Sequence, residues 1–121
     1  MRNSNPDFTL IRRDPRAVPS GRLWNPAADV YQCSDGWVVK VDLAGVCTDE
    51  LEITLRDSIL RVSGCRRDTH YREDFIYHQL EITYSRFEKS IQFPSRIEGA
   101  SIKHDYSDGF LIIKLHRGED A

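Results

Sequence analysis

Short segments with alternating apolar and polar residues recur along most of the chain, and they predict β-strands. In the clearest of them, residues 37–43, the side chains of Trp37, Val39, Val41 and Leu43 share one face. Similar segments lie at 51–56, 59–63, 87–93, 102–106 and 110–115. No segment shows a sustained helical period. The pattern therefore predicts an all-β domain, an antiparallel β-sandwich of seven to eight short strands.

Turn residues separate these predicted strands. Asp35-Gly36 and Asp108-Gly109 are Asp-Gly pairs, which supply the positive φ angles of tight hairpin turns. Asp57-Ser58 separates two further strands, and Pro94 cannot continue the ladder of the strand that ends before it. The strands are therefore expected to be joined mainly by short connections.

Two parts of the chain depart from this pattern. Four of the five prolines lie within the first 26 residues, which predicts a flexible arm over 1–23 and a folded domain that begins at Trp24. The second is the highly charged segment 66–84, which contains one β-prone piece, Phe75-Ile76-Tyr77. A loop of that length in a compact domain is usually functional or packs on another surface.

Composition and charge narrow the class of protein. The chain of 121 residues is 40% hydrophobic, enough for one core, and its net charge of −2 argues against a nucleic-acid partner. No apolar run is long enough for a membrane span, and no signal peptide is evident, so a cytoplasmic location is expected. Cys33, Cys47 and Cys65 form no C-x-x-C pair and are expected to be reduced thiols, although a redox role for one of them stays open.

Motifs for catalysis are missing from the sequence. The four histidines, His70, His78, His104 and His116, have no metal-ligand spacing, and no phosphate-binding or nucleophile motif occurs. The sequence therefore predicts a protein without catalytic residues, metal or cofactor.

Two apolar stripes are the more informative feature. Leu51, Ile53 and Leu55 share one strand face, and Ile102, His104 and Tyr106 share another. Both stripes could simply face the core, which composition alone favours. Alternatively, they could line a groove between the two sheets, where an extended peptide would add by backbone hydrogen bonds and side-chain pockets.

Five short motifs resemble the α-crystallin domain of the small heat-shock protein family. They occur in order at 24–31, 41–46, 60–66, 87–94 and 106–111, and the last is similar to the family's closing A-x-x-x-n-G-x-L motif. The resemblance covers 24–117. It implies an immunoglobulin-like sandwich that acts in the stress response as an ATP-independent holdase, binding unfolding client proteins and preventing their aggregation.

The resemblance also implies an assembly. In bacterial and plant members, a short strand in the long loop is exchanged between subunits of a homodimer, and here Phe75, Ile76 and Tyr77 would form it. Lys89 stands where the family has an arginine and would need an acidic partner, across the dimer interface. His104 replaces the motif alanine, and a role as a hydrogen-bonded core histidine or a groove-lining histidine is favoured over a pH switch. Ser85 replaces a glycine.

The ends of the chain differ most from the family. Residues 118–121 contain no I-x-I/V motif, which implies dimers or small oligomers. In the arm, Phe8, Leu10 and Ile11 are the expected client contacts, and Phe8 and Leu10 alternate as in a strand. An alternative function is a co-chaperone-like interaction module, without autonomous activity, that joins hetero-oligomers with a tail-bearing relative.

Overall fold

The computed structural model describes residues 24–117, so the predicted arm 1–23 and tail 118–121 lie outside the described residues. This part contains seven strands and one 3-10 turn. In chain order they are β1 (Ala28–Cys33), β2 (Gly36–Asp42), the turn η1 (Thr48–Glu50), β3 (Glu52–Arg56), β4 (Ile59–Cys65), β5 (Arg86–Gln92), β6 (Ser101–Ser107) and β7 (Phe110–His116). The predicted all-β fold is confirmed.

The strands form two antiparallel sheets. One has the order β1-β2-β7-β6 and the other the order β3-β4-β5, so β1, β6, β3 and β5 are edge strands. Between the sheets lies a core of buried apolar side chains. Its members include Val39, Val41, Leu43, Leu60, Val62, Phe87, Ile91, Phe93, Leu111, Ile113 and Leu115. These are the alternate positions of the predicted strands, which explains why the alternation located β2 to β7 correctly.

The first hairpin differs from the prediction. Its two-residue turn consists of Ser34 and Asp35, and Gly36 already pairs with Cys33 as the first residue of β2. Gly36 is required for a different reason: a Cβ atom there would lie 1.9 Å from the carbonyl oxygen of Leu115. The Asp108-Gly109 turn is as predicted, with φ angles of 56° and 83°.

The long connection between β4 and β5 spans residues 66–85 and forms no strand within the described chain. Its two ends are held together, because the amide of Arg66 donates a hydrogen bond to the Ser85 carbonyl oxygen (3.0 Å). The Arg66 side chain adds a bond from Nε to the Thr83 carbonyl oxygen (2.9 Å). The base of the loop is therefore fixed on the sandwich.

Candidate functional site

A groove of about 360 Å³ lies between β3 and β6, the edge strands of the two sheets on the same side of the sandwich. Its lining residues come from four parts of the chain. They are Thr48, Leu51, Ile53, His104, Asp105, Tyr106 and Leu111. The groove therefore combines an apolar floor with a few polar groups.

On the β3 side, the stripe predicted from the sequence forms one wall of the groove. Leu51, Ile53 and Leu55 are half-buried and pack against the core. Leu51 and Ile53 line the groove, whereas Leu55 is not among the lining residues. All three residues of the stripe therefore pack against the core, and two of them also line the groove.

On the β6 side, Ile102, His104 and Tyr106 lie directly opposite buried residues of β7, so their side chains lie on the inner face of the sheet. His104 is nevertheless exposed, and it lines the groove together with Tyr106. Ile102 is 38% exposed and lies outside the groove lining. Four of the six predicted residues thus come together in one site.

Three lining residues were not identified from the sequence. Thr48 belongs to η1, Asp105 lies at an outward position of β6, and Leu111 is a core residue of β7. The alternation of apolar residues in β6 does not include Asp105, so it could not indicate that Asp105 lines a groove. The alternation of apolar residues in 110–115 predicts that Leu111 lies on the buried face of a strand. It does not show whether a residue on that face lies in the core or at the floor of a groove.

The hydroxyl of Tyr106 is used within the fold. It donates a hydrogen bond of 2.8 Å to the Leu43 carbonyl oxygen, which fixes the ring at one end of the groove. Because β3 and β6 are paired on one side only, some of their backbone N–H and C=O groups point toward the open side. An extended peptide in the groove could therefore use both apolar pockets and backbone hydrogen bonds.

A second apolar surface lies on the long loop. Phe75 and Ile76 are exposed, Ile76 to 74%, whereas Tyr77 is half-buried and its ring stacks on Tyr71 at 6.0 Å. Leu80 and Ile82 of the same loop are also exposed, Ile82 to 64%. These two were missed because they stand in a charged loop without a strand pattern. The edge strand β1 also exposes apolar side chains, those of Val30 and Tyr31.

Lys89 lies on the inner face of β5, on the same side as Phe87 and Ile91, as its alternation predicts. Its Nζ donates a hydrogen bond of 3.4 Å to Asn25 Oδ1. No carboxylate among residues 24–117 forms an ion pair with it, so an acidic partner on another subunit remains a prediction.

Ser85 and Arg66 hold Trp24 at the start of the described chain. Ser85 Oγ accepts a hydrogen bond from the Trp24 amide (3.1 Å) and donates one to the Arg86 carbonyl oxygen (2.8 Å). The guanidinium of Arg66 lies 3.7 Å above the Trp24 ring and donates to the Ala44 carbonyl oxygen (3.1 Å). Burial lowers the pKa of Arg66 from its usual value, because the charged form loses solvation.

The cysteines and the remaining surfaces add no chemistry to this site. Cys33, Cys47 and Cys65 are free thiols, and Cys65 is buried. Within residues 24–117, no group of histidine, cysteine and carboxylate side chains has a geometry suited to a metal ion. No helix in this same range is long and apolar enough to cross a membrane.

A second hollow, of about 490 Å³, lies near Trp37 and Leu115 and is mostly polar. Arg96 in its lining already forms ion pairs with Asp57 and Glu98.

The fold and the groove place the chain in the class of antiparallel, immunoglobulin-like β-sandwich domains. A family model described as the Hsp20/alpha crystallin family matches residues 29–121. The chain therefore belongs to this family, the small heat-shock proteins, which confirms the resemblance seen in the sequence.

Individual relatives agree with this assignment. The chain is 26% identical to small heat shock protein C4 of Rickettsia felis, over 84% of this chain and 63% of that protein. It is 28% identical to the 22.7 kDa class IV heat shock protein of Pisum sativum, over 91% of this chain and 58% of that protein. It thus spans about three fifths of the length of these curated relatives.

Among solved structures, heat shock protein 16.0 of Schizosaccharomyces pombe superimposes with a TM-score of 0.71 at 23% identity, over 81% of this chain and 91% of that one. The hspA protein of Xanthomonas axonopodis gives a TM-score of 0.66 at 22% identity, over 79% and 96% of the two chains. At such identities these similarities establish the fold.

Proposed function

We propose that this protein is an ATP-independent holdase chaperone that binds extended apolar segments of unfolding proteins in the groove between β3 and β6. The observation that supports this most is the position of the groove between two edge strands, with Leu51, Ile53 and Tyr106 in its lining. Free edges and an apolar floor together suit a peptide in the β conformation.

The energetics require no nucleotide. Burying a large aliphatic side chain contributes about 1.5–3 kcal/mol, so two or three client side chains in the groove give useful affinity without an external energy source. Binding that removes apolar surface from water also lowers the tendency of the client to aggregate. The proposed role is therefore one of binding, without a catalytic step.

The decisive experiment is light scattering of a heat-unfolding model enzyme, with and without this protein and in the absence of ATP. We expect suppression near stoichiometric ratios for the wild type. Ile53→Ser should lose much of it, because about 1.5–3 kcal/mol of apolar burial corresponds to about tenfold or more in affinity.

The matched control is Thr54→Ser, since Thr54 is the exposed neighbour of Ile53 on the other face of β3. Thermal unfolding of both variants shows whether each remains folded at the assay temperature. Equal suppression by the wild type, Ile53→Ser and Thr54→Ser would refute the groove as the client site.

We further propose a homodimer in which Phe75, Ile76 and Tyr77 pair as a strand with the β1 edge of a second subunit. Exposure of Ile76 on the loop and of Val30 and Tyr31 on β1 supports this, because pairing would cover both apolar surfaces. Lys89 lies on β5, the other edge strand on the β1 side of the sandwich, where a carboxylate of the partner could reach it.

A second candidate function is an interaction module in hetero-oligomers, with the groove receiving an I-x-I tail from a related subunit. The open groove with its paired Leu51 and Ile53 supports this alternative. The scattering experiment separates the two functions: an interaction module would suppress aggregation only after addition of a tail-bearing small heat-shock protein. We place either activity in the cytoplasm, where three free cysteines suit a reducing environment.

A further inference from the structure

The last part of the long loop exposes apolar side chains close to β5. Residues 78–82 are all exposed, and among them Leu80 and Ile82 are large and aliphatic. Exposure then falls over residues 83–85, and Ser85 is fully buried. Leu80 and Ile82 belong neither to the core nor to the lining of the groove. They form a separate apolar surface where the loop returns to the sandwich, which we call the exit surface.

Trp24, the first described residue, lies beside the end of this loop. Its amide donates to Ser85 Oγ (3.1 Å) and to the Arg86 carbonyl oxygen (3.4 Å). The Arg66 guanidinium lies 3.7 Å from the centre of the Trp24 ring and donates from Nε to the Thr83 carbonyl oxygen (2.9 Å). The peptide bond that joins Trp24 to residue 23 is therefore next to the last residues of the loop.

The chain after Trp24 follows β5 in the direction of β5 itself. The Trp24 ring packs edge-on against the Phe87 ring, with 5.4 Å between their centres, and Asn25 Oδ1 accepts a hydrogen bond from Lys89 Nζ (3.4 Å). The contacts thus move toward higher numbers on β5 as the chain passes from residue 24 to residue 25. A path continued backward from Trp24 in the same direction runs along residues 84 to 80 and reaches the exit surface.

The segment directly before Trp24 suits this path in length and polarity. It reads Pro-Ser-Gly-Arg-Leu over residues 19–23. Five extended residues span about 17 Å, which is also as far as residues 80–84 can reach. Pro19 and Leu23 lie on the same side of an extended chain, so that both can face the exit surface.

Charge favours the same arrangement. Glu81 stands between the two residues of the exit surface, is exposed, and forms no ion pair within the described part of the chain. Arg22 precedes Leu23 and takes the opposite side of an extended segment. When Leu23 faces the exit surface, Arg22 is thus on the side where Glu81 lies, and the two charges are complementary.

We infer that residues 19–23 dock along residues 80–84 of their own chain, with Pro19 and Leu23 against the exit surface and Arg22 beside Glu81. Docking removes exposed aliphatic surface from water, which stabilises the contact. This arm–loop contact connects the predicted arm with the long loop, so that a change in one of them alters the other. The inference goes beyond the proposed function and depends neither on the groove nor on client binding.

Limited trypsin digestion of the full chain tests the arm–loop contact, because the bond after Arg22 lies inside it and the bond after Arg16 lies outside. Mass spectrometry follows cleavage at both bonds for the wild type and for the double variant Leu80→Ser/Ile82→Ser. We expect cleavage after Arg22 to be about tenfold faster in the double variant, because loss of the apolar contact raises the population of the open segment. Cleavage after Arg16 should keep its rate.

The matched control is His78→Ala/Gln79→Ala, which changes two exposed polar residues of the same loop and should be digested like the wild type. Glu81→Gln should raise the rate of cleavage after Arg22 by a smaller factor, and this increase should shrink at high salt. Thermal unfolding shows whether each variant remains folded under the conditions of digestion.

Hydrogen exchange gives the reciprocal measurement. Leu23→Ser should raise the exchange of the amides of residues 80–84 and leave those of β2 and β7 unchanged. Leu10→Ser is the control, since it changes an apolar residue of the arm outside 19–23 and should leave the exchange of 80–84 as in the wild type. Both effects should be independent of protein concentration, as expected for a contact within one chain.

Each contrary result overturns a defined part of the inference. An unchanged rate of cleavage after Arg22 in Leu80→Ser/Ile82→Ser, or unchanged exchange of the loop amides in Leu23→Ser, would overturn the arm–loop contact. Equal acceleration of cleavage after Arg16 would contradict a contact confined to the last residues of the arm. An effect that disappears on dilution would assign the occupant of the exit surface to another subunit and overturn docking within one chain.

Discussion

The guanidinium of Arg66 contacts three parts of the chain that are distant in sequence. It stacks on Trp24, donates to the Ala44 carbonyl oxygen, and donates to the Thr83 carbonyl oxygen near the end of the long loop. A planar guanidinium with several fixed donors is suited to this position, because it can stack on a ring and donate to two carbonyl oxygens at once. The ammonium group of a lysine is a single point of charge and cannot make all three contacts. We therefore expect Arg66 to contribute more to stability than its partial exposure suggests.

Replacing Arg66 by alanine should lower the free energy of unfolding by about 2 kcal/mol, since hydrogen bonds from a charged donor contribute about 1.5–3 kcal/mol and the stacking on Trp24 adds to them. Arg66→Lys should recover only part of this loss. Urea denaturation followed by tryptophan fluorescence measures both. Arg67→Ala is the matched control, because Arg67 forms an exposed ion pair with Glu50 and should have a smaller effect. Equal losses at the two positions would contradict this role of Arg66.

Gly36 is a second residue whose importance depends on close packing. A methyl group there would overlap the Leu115 carbonyl oxygen, which is backbone and cannot move without disturbing the pairing of β2 with β7. Gly36→Ala should therefore destabilise the domain by about 1–3 kcal/mol. Thermal unfolding measures this, and Ser34→Ala in the adjacent exposed turn should have almost no effect. An unchanged melting temperature for Gly36→Ala would show that the sheet adjusts more easily than its geometry implies.

At the scale of elements, alternation was informative wherever one face of a strand is buried. It located β2 to β7, because every second residue of these strands faces the core or the groove. It did not locate β1, whose residues after Ala28 are all exposed, so that no apolar face marks the strand. The turn at 34–35 was placed one residue too late, because Asp-Gly is a strong turn signal. Gly36 has no positive φ angle, and a glycine is needed there because a Cβ atom would overlap the carbonyl oxygen of Leu115.

The candidate site was predictable to the extent that it consists of strand faces. Leu51, Ile53, His104 and Tyr106 follow from alternation, but their convergence depends on the packing of two sheets. Thr48 and Asp105 have no local signal, because a turn residue and an outward strand position become groove lining only in three dimensions. The exposed Leu80 and Ile82 were not identified for a similar reason, since an irregular loop has no period from which their surface could be inferred.

At the scale of the whole molecule, the long loop is the element that should set the assembly. Deletion of residues 70–80 should shift the protein from dimer toward monomer, because it removes Phe75, Ile76 and Tyr77 from the proposed interface. The deletion leaves Arg66, Thr83 and Ser85 in place, so the base of the loop keeps its bonds to the sandwich. Light scattering coupled to size-exclusion chromatography gives the mass.

The matched control for this deletion is the double substitution Thr69→Ser/Gln79→Ala, which alters the same loop and keeps its apolar residues. It should retain the mass of the wild type. A deletion variant with an unchanged mass and an intact thermal transition would exclude strand exchange through this loop.

The closed base of the long loop has a consequence for how the sequence of this protein can change. Because the amide and side chain of Arg66 join the two ends of the loop on the sandwich, residues inserted or removed between 67 and 82 leave the core in place. The apolar surface on this loop is then free to vary in length and composition while the fold is kept.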